Sequence, residues 1–385
     1  MTVAPAAIGP RTAIVSPSRV AVTAASDATG CDVTAAADEI TTNGFGGIGA
    51  LVSAATGVTT LDVDLLQTGG DQAAGLDLST DPTACATLGT GACDQNFTVG
   101  NLLTGGAGSP AALIRAAGNV TGNVGVLRTE GQDAIGLDLV SDPNACVVLG
   151  PGGCTNAFSI GELTTQGDGA IGVLARVVGP TTLNLGLLET LGENATGIDI
   201  ADDPTACALI GAGACDTTVT ADQITTRGNG ALGALIEVPG NVVATIGALS
   251  TGGDNATGLG VVLDPTVCLV LGPGACSVTA AVGDIDTGGD NSPGVDVDAG
   301  DSDTPVDIDT GDVTTGGDGS PGVSVETGGS VDIDTGDIST GGDFSPGVIV
   351  DGGAGPITVD TGDIDTGGVA SPGVDVTGTG PITIG

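Results

Sequence analysis

The residues with chemistry to offer are nine cysteines and a large excess of carboxylates. Cys85, Cys146, Cys207 and Cys268 recur every 61 residues, and so do Cys93, Cys154, Cys215 and Cys276. They close four related stretches: DPTACATLGTGAC (81–93), DPNACVVLGPGGC (142–154), DPTACALIGAGAC (203–215) and DPTVCLVLGPGAC (264–276). The two cysteines of each stretch are eight apart, with glycines between them that let the chain fold back. The pairing expected is therefore local: Cys85–Cys93, Cys146–Cys154, Cys207–Cys215 and Cys268–Cys276. Zinc is the competing use, but this spacing without histidine does not match the short CxxC pattern of zinc sites. A crosslink over so short a loop contributes roughly 2–3 kcal/mol in the chain-entropy model and belongs to an oxidising compartment. Cys31 stands where a second cysteine of the motif belongs, yet Thr23 occupies the position eight before it. Residues 1–31 thus read as a partial or irregular unit, damaged or truncated.

The carboxylates crowd toward the C-terminus. Residues 281–385 hold 21 acidic side chains and no basic one. VDIDTGD occurs at 306–312 and 331–337, and ITVDTGD at 357–363. Stacked in register, these lines place Asp309 near Asp334 and Asp360, and Asp312 near Asp337 and Asp363. Unscreened carboxylates at strand spacing repel. One reading is a solvated acidic face that keeps the molecule soluble and its edges unpaired. The other is Ca²⁺ held between layers by carboxylates and carbonyls, although the GGxGxDx series of calcium-binding β-rolls is absent.

Composition removes whole classes of function. The formal charge is −41, and the six basic residues are Arg11, Arg19, Arg115, Arg128, Arg176 and Arg227. Nucleic acid is excluded as a partner, since binding it requires clustered cations, and an anionic membrane surface is disfavoured for the same reason. No apolar run approaches the ~18–20 residues of a transmembrane helix. Without histidine there is no Ser-His-Asp triad. No carboxylate stands out from its column, so a polysaccharide-acting enzyme is a disfavoured use.

The elements that must position these groups come from a repeat. Twelve copies share one pattern: aliphatic-x-Thr-x-Gly-x-x-small-x-Gly-apolar-x-apolar. Its threonines are Thr42, Thr68, Thr104, Thr129, Thr165, Thr190, Thr226, Thr251, Thr287, Thr315, Thr340 and Thr366. Period-two alternation is that of a strand with one face buried, and the glycines mark corners. One copy of about 25–28 residues is too short to bury a core alone, but stacked copies bury one jointly. The fold class expected is all-β: a parallel β-helix (β-solenoid) of about twelve rungs, some with a disulfide-bearing loop. At ~4.8 Å per rung it is a rod of about 58 Å. Residues 32–280 alternate plain and cysteine-bearing rungs in a 61-residue double unit, and residues 281–385 form regular acidic rungs. The threonine column has inward parity and is placed to pass hydrogen bonds from rung to rung. Its outward neighbours, among them Thr41, Gln67, Leu103 and Arg128, are too mixed for the flat threonine lattice of an ice-binding solenoid.

With the repeat exposed, DISTGGDFSPGVIV (337–350) and GELTTQGDGAIGVLA (161–175) resemble passenger repeats of bacterial autotransporters (type V secretion). The resemblance covers about residues 32–385. It implies a right-handed parallel β-helix at the surface of a Gram-negative bacterium or outside it. It also implies a translocator barrel or membrane anchor outside this sequence, which is then an excerpt of a longer protein. The function implied is a structural, adhesin-like rod that meets other cell-surface or matrix components, or copies of itself as a filament, with no cofactor beyond a possible Ca²⁺.

Overall fold

Alternating aliphatic and polar residues make strands with one buried face, and successive copies of the repeat lay those strands on one another in parallel. The computed structural model describes residues 13–14, 32–54, 56–300 and 303–385. Between residues 33 and 288 each rung has a long arm of 11 or 12 residues, such as Thr59–Gly69 and Asn241–Gly252. A tight turn leads from it to a short arm, as Thr59–Gly69 leads to Ala74–Thr80. The long arms join one sheet and the short arms a second, twelve-stranded sheet. Like residues stack on like: Thr165 pairs with Thr129 on one side and Thr190 on the other.

The long arm bends once, so a rung has three sides. At Gly161 and Gly186 the ladder skips a residue, and inward parity shifts by one, from Phe158 and Ile160 to Leu163 and Thr165. From residue 306 onward the bend divides the arm in two, giving Val306–Thr310, Val313–Thr315 and Val323–Thr327 as the three sides of one rung. The buried core is a set of vertical aliphatic files, one running from Ile40 through Leu102 and Leu188 to Ile338. Aromatic volume enters at one place. Phe97 and Phe158 lie on either side of Gly122 in the same file. Their ring centroids are 6.2 Å apart, and they fill the space that a side chain at 122 would occupy. The sheets continue unbroken where the sequence turns acidic, since the strand Ser277–Gly288 crosses residue 280. Near the N-terminus, Ala13 and Ile14 pair with Ile40 and Thr41; Cys31 lies outside the described residues.

Each cysteine-bearing insertion contains a short helix where the spacing suggested a simple fold-back: α1 (Pro82–Leu88), α2 (Pro143–Leu149), α3 (Pro204–Ile210) and α4 (Pro265–Leu271). The Asp-Pro pairs are the cause. Asp81 accepts from the amides of Thr83 and Ala84 at 2.9 and 3.1 Å, and Asp142, Asp203 and Asp264 do the same work. Proline at the first helical position lacks only a donor that would be unpaired there anyway. The disulfides Cys85–Cys93, Cys146–Cys154, Cys207–Cys215 and Cys268–Cys276 tie each helix to the start of the next rung.

The second glycine of the repeat marks the start of each short arm, and the glycine five before this marker glycine explains itself once rungs are stacked. At Gly289 the backbone has φ 114°, and a Cβ there would fall on the carbonyl of Gly253 in the preceding rung. Gly317 would meet Gly289 in the same way. Backbone packs on backbone at this corner, and a side chain has no room. Gly289→Ala is expected to destabilise by about 3 kcal/mol, from left-handed strain plus overpacking. Gly288→Ala, whose Cβ would meet nothing within 4 Å, is expected to be near neutral. Paired denaturant unfolding checks this, and equal midpoints for the two variants would contradict the corner argument.

Candidate functional site

The twelve threonines lie in one file, and the first eleven are buried at 4% exposure or less. Their hydroxyls do not run from rung to rung. Thr251 donates to the carbonyl of Ala256 at 2.7 Å, Thr287 to Ser292 at 2.7 Å and Thr315 to Ser320 at 2.6 Å. Each bond closes the corner of its own rung. In five rungs, at Thr42, Thr68, Thr129, Thr165 and Thr190, the hydroxyl is buried without a partner.

The bonds between rungs are carried instead by serines two before the marker glycine. Ser320 Oγ accepts from the Ser292 amide at 2.9 Å and donates to the Gly289 carbonyl at 3.0 Å. Ser345 does the same for Ser320 and Gly317, and Ser371 for Ser345 and Gly342. Sequence parity placed this role on threonine because serine looked merely small. The signal that distinguishes them is serine at this position in the last four rungs and once earlier, at Ser109, where the other rungs carry alanine or glycine. Ser109 makes the same pair of bonds, to the Ala73 amide and the Gly70 carbonyl.

The acidic columns also have a structural use. Asp312 Oδ1 accepts from the Asp337 amide at 3.0 Å, and Asp337 Oδ1 from the Asp363 amide at 2.9 Å. Asp318 and Asp343 form a second such line, accepting from Asp343 and Val369, both at 2.7 Å. Asp309, Asp334 and Asp360 stack in register on an exposed face. Among the described residues, no three of these carboxylates converge within 4.8 Å of one another. A carboxylate that accepts an amide hydrogen from the next rung offsets part of the repulsion along its file. The four described arginines each face an acid: Arg176 makes a two-pronged contact with Asp199 at 2.8 and 2.7 Å, and Arg115, Arg128 and Arg227 pair with Asp77, Glu130 and Glu189.

Two features stand apart from this uniform scaffold. The first is the ridge of insertions. Helices α1 to α4 pack in series along one side. Of these, α2 and α3 cover a small apolar cluster that includes Cys146, Cys154, Ala206, Cys207 and Cys215, α1 covers another around Cys85 and Cys93, and Cys268 and Cys276 join the main core. The outer faces of the helices show Leu88, Val148, Leu209, Leu269 and Val270, each between 50% and 80% exposed. The second is Asp202, which is 8% exposed and has no hydrogen-bond partner for either carboxylate oxygen. Burial pushes its carboxyl well above the ordinary range, and the charge of Asp216 adds to this. A groove lined by Gln223, Ser250, Asp284, Asp286, Asp312 and Thr314 offers carboxylates and hydroxyls but no cation to grip an anionic sugar.

Two outcomes follow from these contacts. Asp337→Ala is expected to lose about 1 kcal/mol of stability, while Asp337→Asn, which keeps the accepting oxygen, should lose little. A calcium role would show the opposite: Asn as damaging as Ala, and only when Ca²⁺ is present. For Asp202 the carboxyl gives up its proton less readily in the folded than in the unfolded chain, so its cost to stability is largest at neutral pH and fades on acidification. Asp202→Asn is expected to be more stable than the parent at pH 7. The gap should narrow as pH falls toward 3.8, the ordinary carboxylate value. Denaturant unfolding across pH measures it, and a gap that widens in acid would refute the assignment.

Compared with known proteins, the chain matches no family model, no curated protein and no solved structure. Its class rests on its own geometry: a parallel β-solenoid with four disulfide-pinned helical insertions.

Proposed function

We propose that this chain is a structural rod of a secreted or surface-displayed, autotransporter-like protein. In this reading it acts as an adhesin-like stalk through multivalent, individually weak contacts. The observation that carries the reading is the helical ridge. A regular strand scaffold needs no insertions, yet four of them recur at two-rung intervals and leave large aliphatic side chains facing water. Two rungs correspond to ~9.6 Å, so the ridge repeats one small apolar contact along the rod. Contacts of this kind gain strength by number when both surfaces are arrays. The disulfides support an oxidising destination. They also remove the freedom that a protruding loop would otherwise lose on binding. The charge, spread over the remaining faces, keeps rods apart and directs contact to the apolar outer faces of the helices, whose only acids are the capping aspartates at their N-termini.

Beads coated with the chain test this on cultured cells and on extracellular matrix. Dense coating should give adhesion that the free chain competes for poorly. Replacing Val148, Leu209, Leu269 and Val270 together with serine should lower bead adhesion at least tenfold while disulfides and strand content persist. Adhesion equal to uncoated beads, or unchanged by the four substitutions, would overturn the proposal.

A further inference from the structure

The third insertion differs from the other three at one buried position. Counting by 61, the file reads Thr80, Ser141, Asp202 and Leu263. Thr80 has a polar partner, its hydroxyl accepting from the Ala117 amide at 2.9 Å. Leu263 needs none. Asp202 is a carboxylate with neither oxygen bonded, buried beside Cys207 and Cys215, which are 1% and 2% exposed. One carboxylate oxygen and both sulfurs lie within 4.8 Å of one another, the sole such convergence among the described residues. A disulfide offers a carboxylate no hydrogen and no charge. A buried carboxylate left in that state is strongly unfavourable, and the sister rungs show that the scaffold accepts Ser or Leu in its place.

We propose that in the reduced chain Asp202, Cys207 and Cys215 form a binding site for a divalent cation of the zinc class. Two thiolates and one carboxylate are a donor set that borderline-soft cations prefer over Ca²⁺ or Mg²⁺. With metal–sulfur bonds of about 2.3 Å and metal–oxygen bonds of about 2.0 Å, tetrahedral coordination spaces the sulfurs about 3.7 Å apart and leaves a fourth position for water. The cysteine Cα atoms are 5.8 Å apart, a separation from which side-chain rotation alone can spread the sulfurs that far. The chemistry balances with a dithiol as reductant. It supplies two electrons and two protons, the Sγ–Sγ bond breaks, and the reductant closes to its own disulfide. The cation then displaces both thiol protons to solvent. Exchange with a small-molecule disulfide reverses the step: that disulfide takes the two electrons and, with two protons from solvent, leaves as two thiols, the Sγ–Sγ bond re-forms, and the cation is released with Asp202 as found. The other three insertions, lacking the carboxylate, are plain crosslinks.

Cobalt(II) is the probe. The full chain, reduced with a phosphine under argon, is titrated with Co²⁺ while thiolate-to-metal absorption and the visible bands of tetrahedral cobalt are followed. One equivalent should saturate the signal at low micromolar concentration, Zn²⁺ should displace it, and the oxidised chain should give none. Asp202→Ser and Asp202→Leu, which install the residues of the second and fourth units, should weaken binding at least tenfold. The double variant Cys146→Ser, Cys154→Ser should leave the signal unchanged. Failure of the reduced parent to bind one tight equivalent, whatever its folded state, overturns the proposal. So do several equal equivalents per chain, or Asp202 variants that bind like the parent.

Discussion

Backbone resting directly on backbone at the corners is the constraint from which the rest of this structure follows. A parallel stack brings identical positions to strand spacing, and at a turn the carbonyl of one rung occupies the place where the next rung would put a Cβ. Gly253, Gly289 and Gly317 meet one another in this way. The same crowding keeps the residues two before each marker glycine small, whether Ala256 or Ser292. Large side chains are confined to the flat sides, where aliphatic files fill a narrow interior without aromatic bulk. The one aromatic pair depends on the absent side chain of Gly122.

A narrow interior leaves corner polar groups with few places to turn. Threonine closes its own corner, serine joins adjacent corners, and aspartate accepts amides at the outer edge of the turn. These three devices share the work of satisfying backbone groups that regular sheet pairing does not reach. They also account for much of the acidity. Asp71, Asp168, Asp254, Asp290, Asp318 and Asp343 serve this corner in their rungs for the same reason, so charge accumulates along the stack although no single position demands a net charge. Where a file lacks this service, as at Asp202, a buried carboxyl is left with neither oxygen bonded.

The insertions interrupt the scaffold without disturbing it, because they leave from the end of a short arm and return at the start of a long arm. A capped helix and a crosslink make each one a small rigid module. In the proposed role the scaffold sets the spacing and the modules meet the partner. Function then lies in the additions, as it commonly does where a regular fold supports variable loops.

Much of this was legible in the sequence. A strict spacing of threonine, glycine and aliphatic residues admits few folds, because only in-register stacking gives every copy the same neighbours. The cysteine pairs were legible for a related reason: eight residues with glycines between them can close only on themselves. Three things were decided by tertiary structure. Serine, not threonine, links the rungs, since which hydroxyl faces a neighbouring amide depends on the turn's path and not on parity alone. The Asp-Pro stretches became helices, because a cap matters only when the flanking strands hold its ends in place. Asp202, one acid among 47 Asp and Glu, became singular only when folding removed it from water and set it against two sulfurs. Burial and convergence are properties of position in space, and a one-dimensional pattern does not carry them.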